Sequence, residues 1–135
     1  MPEAPAISGV VAMIRVADIE RSAAFYRLLG FEIGNCEPKT GPAEWAWLYA
    51  PGAPDWRRGP NLMLSRGDRP PQPETPDVLF YFYAADLAAL REKLLREGLA
   101  PGEIAYPEYL PKGEFPLQDP DGYYLMLAQS ADDTP

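Results

Sequence analysis

The sequence predicts an α+β fold made of two tandem βαβββ modules. Three observations predict it. A strand-like apolar run, an aspartate, a helical repeat and a glycine stop follow one another twice, with twelve residues from Asp18 to Gly30 and twelve from Asp86 to Gly98. Each half closes on the same kind of strand, Asn61-Leu62-Met63-Leu64-Ser65-Arg66 in the first and Tyr124-Leu125-Met126-Leu127-Ala128-Gln129 in the second. A stretch at 67–76, with prolines at 70, 71, 73 and 76, separates the halves. The 135 residues then read as one domain with modules at about 7–66 and 77–130.

The elements follow in order. Val10 to Val16 has strand composition. Asp18 is a good N-cap, and Ile19, Ala23, Tyr26 and Leu29 recur at helical spacing up to Gly30. Two strands follow, Phe31 to Glu37 and Glu44 to Tyr49. A Pro/Gly-rich loop from Pro51 to Pro60 then carries Trp56, Arg57 and Arg58, either as a solvated loop or as a lid. The second half repeats the plan. Val78 to Tyr83 is a strand, Asp86 a cap, and Leu87, Leu90 and Leu94 mark the helix. Ile104 to Tyr109 and Glu114 to Gln118 are expected strands, and Asp119-Pro120-Asp121-Gly122 is a turn into the last one. From Ser130 onward the tail is polar.

At 47% hydrophobic residues the chain can bury a core. No window approaches the roughly 20 apolar residues that span a bilayer, and the start lacks the pattern of a signal peptide. With the single cysteine, Cys36, this points to the cytoplasm. A formal charge of −8 argues against nucleic acid as partner; it suits a cationic ligand, or solubility alone. There is no histidine, which removes the commonest metal ligand and neutral-pH acid–base group, and with it Ser-His-Asp and Cys-His arrangements. Cys36 reads as a spectator thiol, and no glycine-rich phosphate loop follows a strand.

Val16-Ala17-Asp18, Ser22, Phe25-Tyr26 and Leu29-Gly30-Phe31 together resemble the V-x-D…S…F-Y…L-G-F signature of the vicinal-oxygen-chelate superfamily, which includes glyoxalase I, extradiol dioxygenases and bleomycin-resistance proteins. Asp119-Pro120-Asp121-Gly122 is similar to its second signature. The resemblance implies the glyoxalase/bleomycin resistance fold, a curled mixed sheet around a cleft, commonly within a homodimer. It also implies four inward positions where metal enzymes carry ligands. The first-strand position lies seven residues before the helix aspartate, which gives Val11 and Leu79. The last-strand position lies four residues after the turn glycine, which gives Met126, and the repeat makes Met63 its counterpart. None supplies imidazole or carboxylate, so no metal and no other cofactor is expected. Methionine can take copper(I), but two thioethers beside valine and leucine read as apolar packing.

Strand alternation proposes the cleft lining. Val11 brings Met13 and Arg15 to its face, Leu79 brings Tyr81 and Tyr83, Met126 brings Tyr124 and Ala128, and Met63 brings Ser65. Trp45 and Trp47 share a face, and which one is open. The candidate ligand-binding set is therefore Val11, Met13, Arg15, Trp45, Trp47, Met63, Leu79, Tyr81, Tyr83, Tyr124 and Met126, with core packing as the plain alternative. Arg15 either clamps an anionic group or pairs with an acid such as Glu32. No catalytic residue stands out. The resemblance to the metal-free bleomycin-resistance branch implies a homodimeric protein that sequesters an aromatic or cationic small molecule. The alternative is a metal-independent lyase or isomerase using a cleft tyrosine or a carboxylate such as Glu44, Glu108 or Glu114. A third possibility is an interaction module that has lost its ligand.

Overall fold

The structure is a computed structural model that describes residues 11–55, 58–67 and 80–130. It divides into two compact units, Met1–Pro71 and Gln72–Pro135. In the first, β1 (Ala12–Arg15) leads to α1 (Ile19–Arg27), β2 (Glu32–Glu37), β3 (Trp45–Tyr49) and β4 (Asn61–Ser65). These strands form a mixed sheet in the order β1-β4-β3-β2, with β1 and β4 parallel and the other pairs antiparallel. In the second, β5 (Phe80–Ala84) leads to α2 (Leu87–Arg96), β6 (Glu114–Gln118) and β7 (Tyr124–Gln129), in the order β5-β7-β6 with β5 and β7 parallel.

Both helices start as their sequence dictates. The Asp18 carboxylate accepts a hydrogen bond from the Arg21 amide at 3.0 Å, and Asp86 accepts one from Ala89 at 3.0 Å. Each satisfies one of the donors a helix N-terminus leaves unpaired. After each helix the chain passes through a glycine at positive φ, +97° at Gly30 and +84° at Gly98, a conformation that costs glycine little. Gln129 ties β7 to the second helix: its Oε1 accepts from the Leu87 amide at 2.9 Å, and its Nε2 donates to the Ala85 carbonyl at 2.7 Å.

The core of each unit lies between helix and sheet. In the first, Ile14, Ala46, Leu48, Leu62 and Leu64 are buried together with Val16, Ile19, Ala23, Phe25, Tyr26 and Phe31. Phe25, Tyr26 and Phe31 meet edge-on, at centroid distances of 4.9 and 6.2 Å. In the second, Phe115, Leu117, Leu125 and Leu127 are buried, as are Leu87 and Leu94 of α2. The Asp119 turn forms as expected: its Oδ1 accepts from the amides of Asp121 and Tyr123, both at 2.9 Å, and Gly122 has φ +95°.

One expected strand does not form. Ile104 to Tyr109 makes a single bridge, Ala105 to Glu114, instead of a ladder. Pro107 has no amide to donate, and the chain turns there, with the Leu110 amide bonded to the Pro107 carbonyl at 3.0 Å. Val78, Leu79 and most of the interdomain stretch fall outside the described residues, as do Trp56 and Arg57. No helix among the described residues is long and apolar enough to cross a membrane.

Candidate functional site

In each sheet one face is packed against the unit's own helix and the other is not. Strand register decides which side chains share the open face, because laterally paired residues project to the same side. In the first unit one row runs Met13–Met63–Trp47–Asn35, and the next runs Arg15–Ser65–Trp45–Glu37. This settles the face of Trp45 and Trp47: they lie beside Met63 and Ser65, while the intervening Ala46 and Leu48 are buried toward the helix. Val11, half-buried, precedes Ala12 in the same alternation. Met13 is 59% exposed.

Tyr49 joins this face, a residue two beyond Trp47 that the alternation pointed to but the candidate set omitted. Its ring stacks on Trp47 at 5.3 Å and 12°. The Trp47 indole N–H donates to Asn61 Oδ1 at 3.2 Å, which fixes the plane of the ring. A register shift between Ile33 and Asn35 places Gly34 under the same indole, where a Cβ would come within 2.5 Å of the ring carbons. Glycine is required there by proximity, not by backbone angle. The result is a partly exposed aromatic slab edged by two thioethers.

Arg15 lies against Gly67, with Nε 2.5 Å from where a Cβ would stand. The expected partner Glu32 sits on β2, at the opposite edge of the sheet, and pairs with Arg27 at 3.6 Å instead. Arg58, expected in a lid or solvated loop, pairs with Asp55 at 2.8 Å.

The second unit repeats the plan with different chemistry. Tyr81–Met126–Pro116 form one row, Tyr83–Ala128–Glu114 the next, and Tyr124 pairs with Gln118 beyond them. Tyr81 and Tyr83 reach solvent and stack at 6.3 Å, and Tyr124 is exposed as well. Tyr106 and Tyr109, in the segment that failed to become a strand, are also exposed.

Glu114 is the residue that sequence reasoning could not separate from other acids. It is 2% exposed, and among the described residues neither carboxylate oxygen has a hydrogen-bond partner. A buried acceptor left so costs about 1–3 kcal/mol, more if charged. Nearby, Glu114 pushes the Tyr109 hydroxyl up to about 12, chiefly by its hydrogen-bonding pull on the phenol, with smaller effects of desolvation and Tyr81. The phenol nonetheless stays outside full hydrogen-bond geometry with either oxygen. The other two named carboxylates differ: Glu44 is exposed and paired with Arg66 at 3.3 Å, and Glu108 lies in the loop segment. The signal in the sequence was the repeat. It matches Ser65 with Ala128, so Glu114, beside Ala128, stands where Trp45 stands beside Ser65.

The superfamily's metal enzymes need oxygen or nitrogen donors, and Val11, Met63 and Met126 offer hydrocarbon and thioether. Leu79 is outside the described residues. Among the described residues no group of three His, Cys, Asp or Glu side chains could hold an ion. The donor set does not fit the metal.

Residues 11–40 match the family described as Bleomycin resistance protein-like N-terminal. No functionally curated protein matches the chain. A bleomycin-binding protein complexed with bleomycin is 20% identical with a TM-score of 0.70, over 93% of this chain and 100% of that one. TnmS3, an antibiotic binding protein from Streptomyces sp. CB03234, is 22% identical with a TM-score of 0.70, over 95% and 100%. A member of the glyoxalase/bleomycin resistance protein/dioxygenase superfamily from Sphaerobacter thermophilus DSM 20745 is 19% identical with a TM-score of 0.70, over 92% and 98%. Residues 11–40 thus carry the bleomycin resistance protein-like pattern, and the chain has the fold of the glyoxalase/bleomycin resistance/dioxygenase superfamily.

Proposed function

We propose that the protein binds and sequesters a small organic molecule with an aromatic part, without a metal ion and without altering its ligand, as a cytoplasmic homodimer. The observation that carries this is the Trp47–Tyr49 stack with Met13 and Met63 beside it, on a sheet face that the unit's own helix does not cover. Exposed aromatic and thioether surface of this kind is what flat organic ligands stack upon. Structural neighbours that bind bleomycin and another antibiotic support the ligand class. The proposed contact residues are Val11, Met13, Arg15, Trp45, Trp47, Met63, Leu79, Tyr81, Tyr83, Tyr124 and Met126, with Tyr49 added.

A thermal-shift panel of aromatic and cationic compounds, bleomycin among them, tests it, because a ligand that prefers the folded state raises its stability. At least one member should raise the melting temperature, and Trp47→Ala should weaken that member at least tenfold while circular dichroism stays unchanged. A panel without hits, or a Trp47→Ala protein that binds as well as the native chain, contradicts the proposal.

Glu114 favours a second reading, a metal-independent lyase or isomerase with this carboxylate as its base. Turnover of a bound compound that survives chelator and stops in Glu114→Gln would establish it over sequestration.

A further inference from the structure

We propose that Glu114 and the tyrosines around it form a subsite for an organic ammonium group, an inference that deepens the binding function above and rests on it. Two observations meet here. One is a carboxylate 98% withdrawn from solvent, at 2% exposure, with both oxygens unpartnered among the described residues. The other is that the open face about it is tyrosine: Tyr83 two strands across in its own row, Tyr81 in the next row, and Tyr109 within its electrostatic reach. All three tyrosines reach solvent.

The same unit provides the contrast. Asp119 is also buried, and it is satisfied by two backbone amides of its own turn, which is how a structural carboxylate is held. Glu114 has no such arrangement. Its neighbour across the ladder is Ala128, whose side chain has no donor to give. An ionised carboxylate only accepts, so its complement must donate, and a positive charge completes it best. Tyrosine faces present negative quadrupole and favour a cation over them.

A metal ion is a poor match. One carboxylate among phenols falls short of the oxygen ligands calcium or magnesium requires, and no cluster of three acidic, histidine or cysteine side chains occurs among the described residues. An alkylammonium needs only one carboxylate and an aromatic surround. The repeat sharpens the point: the position holding Trp45 in the first module holds Glu114 in the second, so the two modules offer stacking surface and counter-charge at matching places in their sheets.

Isothermal titration of the full chain with 2-naphthylmethylammonium chloride and with neutral 2-naphthylmethanol tests the subsite. The ammonium should bind the native protein at least tenfold more tightly than the alcohol. In Glu114→Gln that preference should fall to within about twofold, with affinity for the alcohol unchanged. A preference that persists in Glu114→Gln would mean a structural carboxylate and overturn the subsite, whatever the melting temperature of that variant. Glu114→Asp keeps the charge and should keep the preference, which serves if Glu114→Gln does not fold. Equal affinity of both probes for the native protein overturns the subsite and leaves the general binding function standing. Binding of neither probe, with no hit in the wider panel, overturns both.

Discussion

Gly34 and Glu114 are single positions where a side chain's absence or presence sets what a whole face can do. At Gly34 any Cβ would run into the Trp47 indole, 2.5 Å away. Gly34→Ala should therefore push the ring from its place against Tyr49 and Asn61, costing about 1–3 kcal/mol as overpacking does. Urea unfolding measures the cost, and tryptophan fluorescence reports the ring's displacement; an unchanged midpoint and spectrum would show that the indole is not held there. At Glu114 the reporter is its neighbour. Tyr109 is raised from 10 to about 12, chiefly by Glu114. A raised folded value means the neutral phenol's favourable interaction is complete below pH about 10 and is lost as pH climbs through about 12. Among the eight tyrosines, a ζ-carbon NMR titration should find Tyr109 ionising near 12, and Glu114→Gln should bring it back toward 10. A native Tyr109 that titrates at 10 contradicts the electrostatic influence of Glu114 on it.

The two helices begin with the same device, an aspartate bonded to the third amide that follows it. Asp18→Ala and Asp86→Ala should each destabilise the protein by about 0.5–2 kcal/mol, measured by chemical unfolding, while a change below a few tenths would show that the cap is idle. These starts were legible in the sequence because a cap is a local matter: an aspartate, an apolar repeat, a glycine at the end. Strands β4 and β7 were legible as matching apolar runs that close the two halves, and β2, β3 and β6 from the room each half leaves between its helix and that closing strand. Ile104 to Tyr109 was not, since composition favoured a strand while Pro107 denied the ladder its donor. The face of Trp45 and Trp47 was open to either answer for another reason. Alternation says which residues share a side, and only pairing with Met63 and Ser65 says which side is covered by a helix. Glu114's isolation was invisible because a satisfied and an unsatisfied carboxylate are the same letter.

Over the whole chain, the frame and the uncovered sheet faces are built from different residues. The signature from Val16 to Phe31 carries packing: Val16, Ser22, Phe25, Tyr26 and Phe31 are all buried. The uncovered faces hold no imidazole, and at Val11, Met63 and Met126 they offer hydrocarbon and thioether, with aromatic rings beside them and one buried carboxylate. Such surfaces suit a ligand held by stacking and counter-charge rather than by an ion. The most direct measurement is a titration of the best hit from the aromatic and cationic panel into protein dialysed exhaustively against chelator, repeated with added zinc, manganese or iron(II). The dissociation constants should agree within about twofold and intrinsic tryptophan fluorescence should quench equally in each. Binding that appears only with a stoichiometric divalent ion would contradict the proposal.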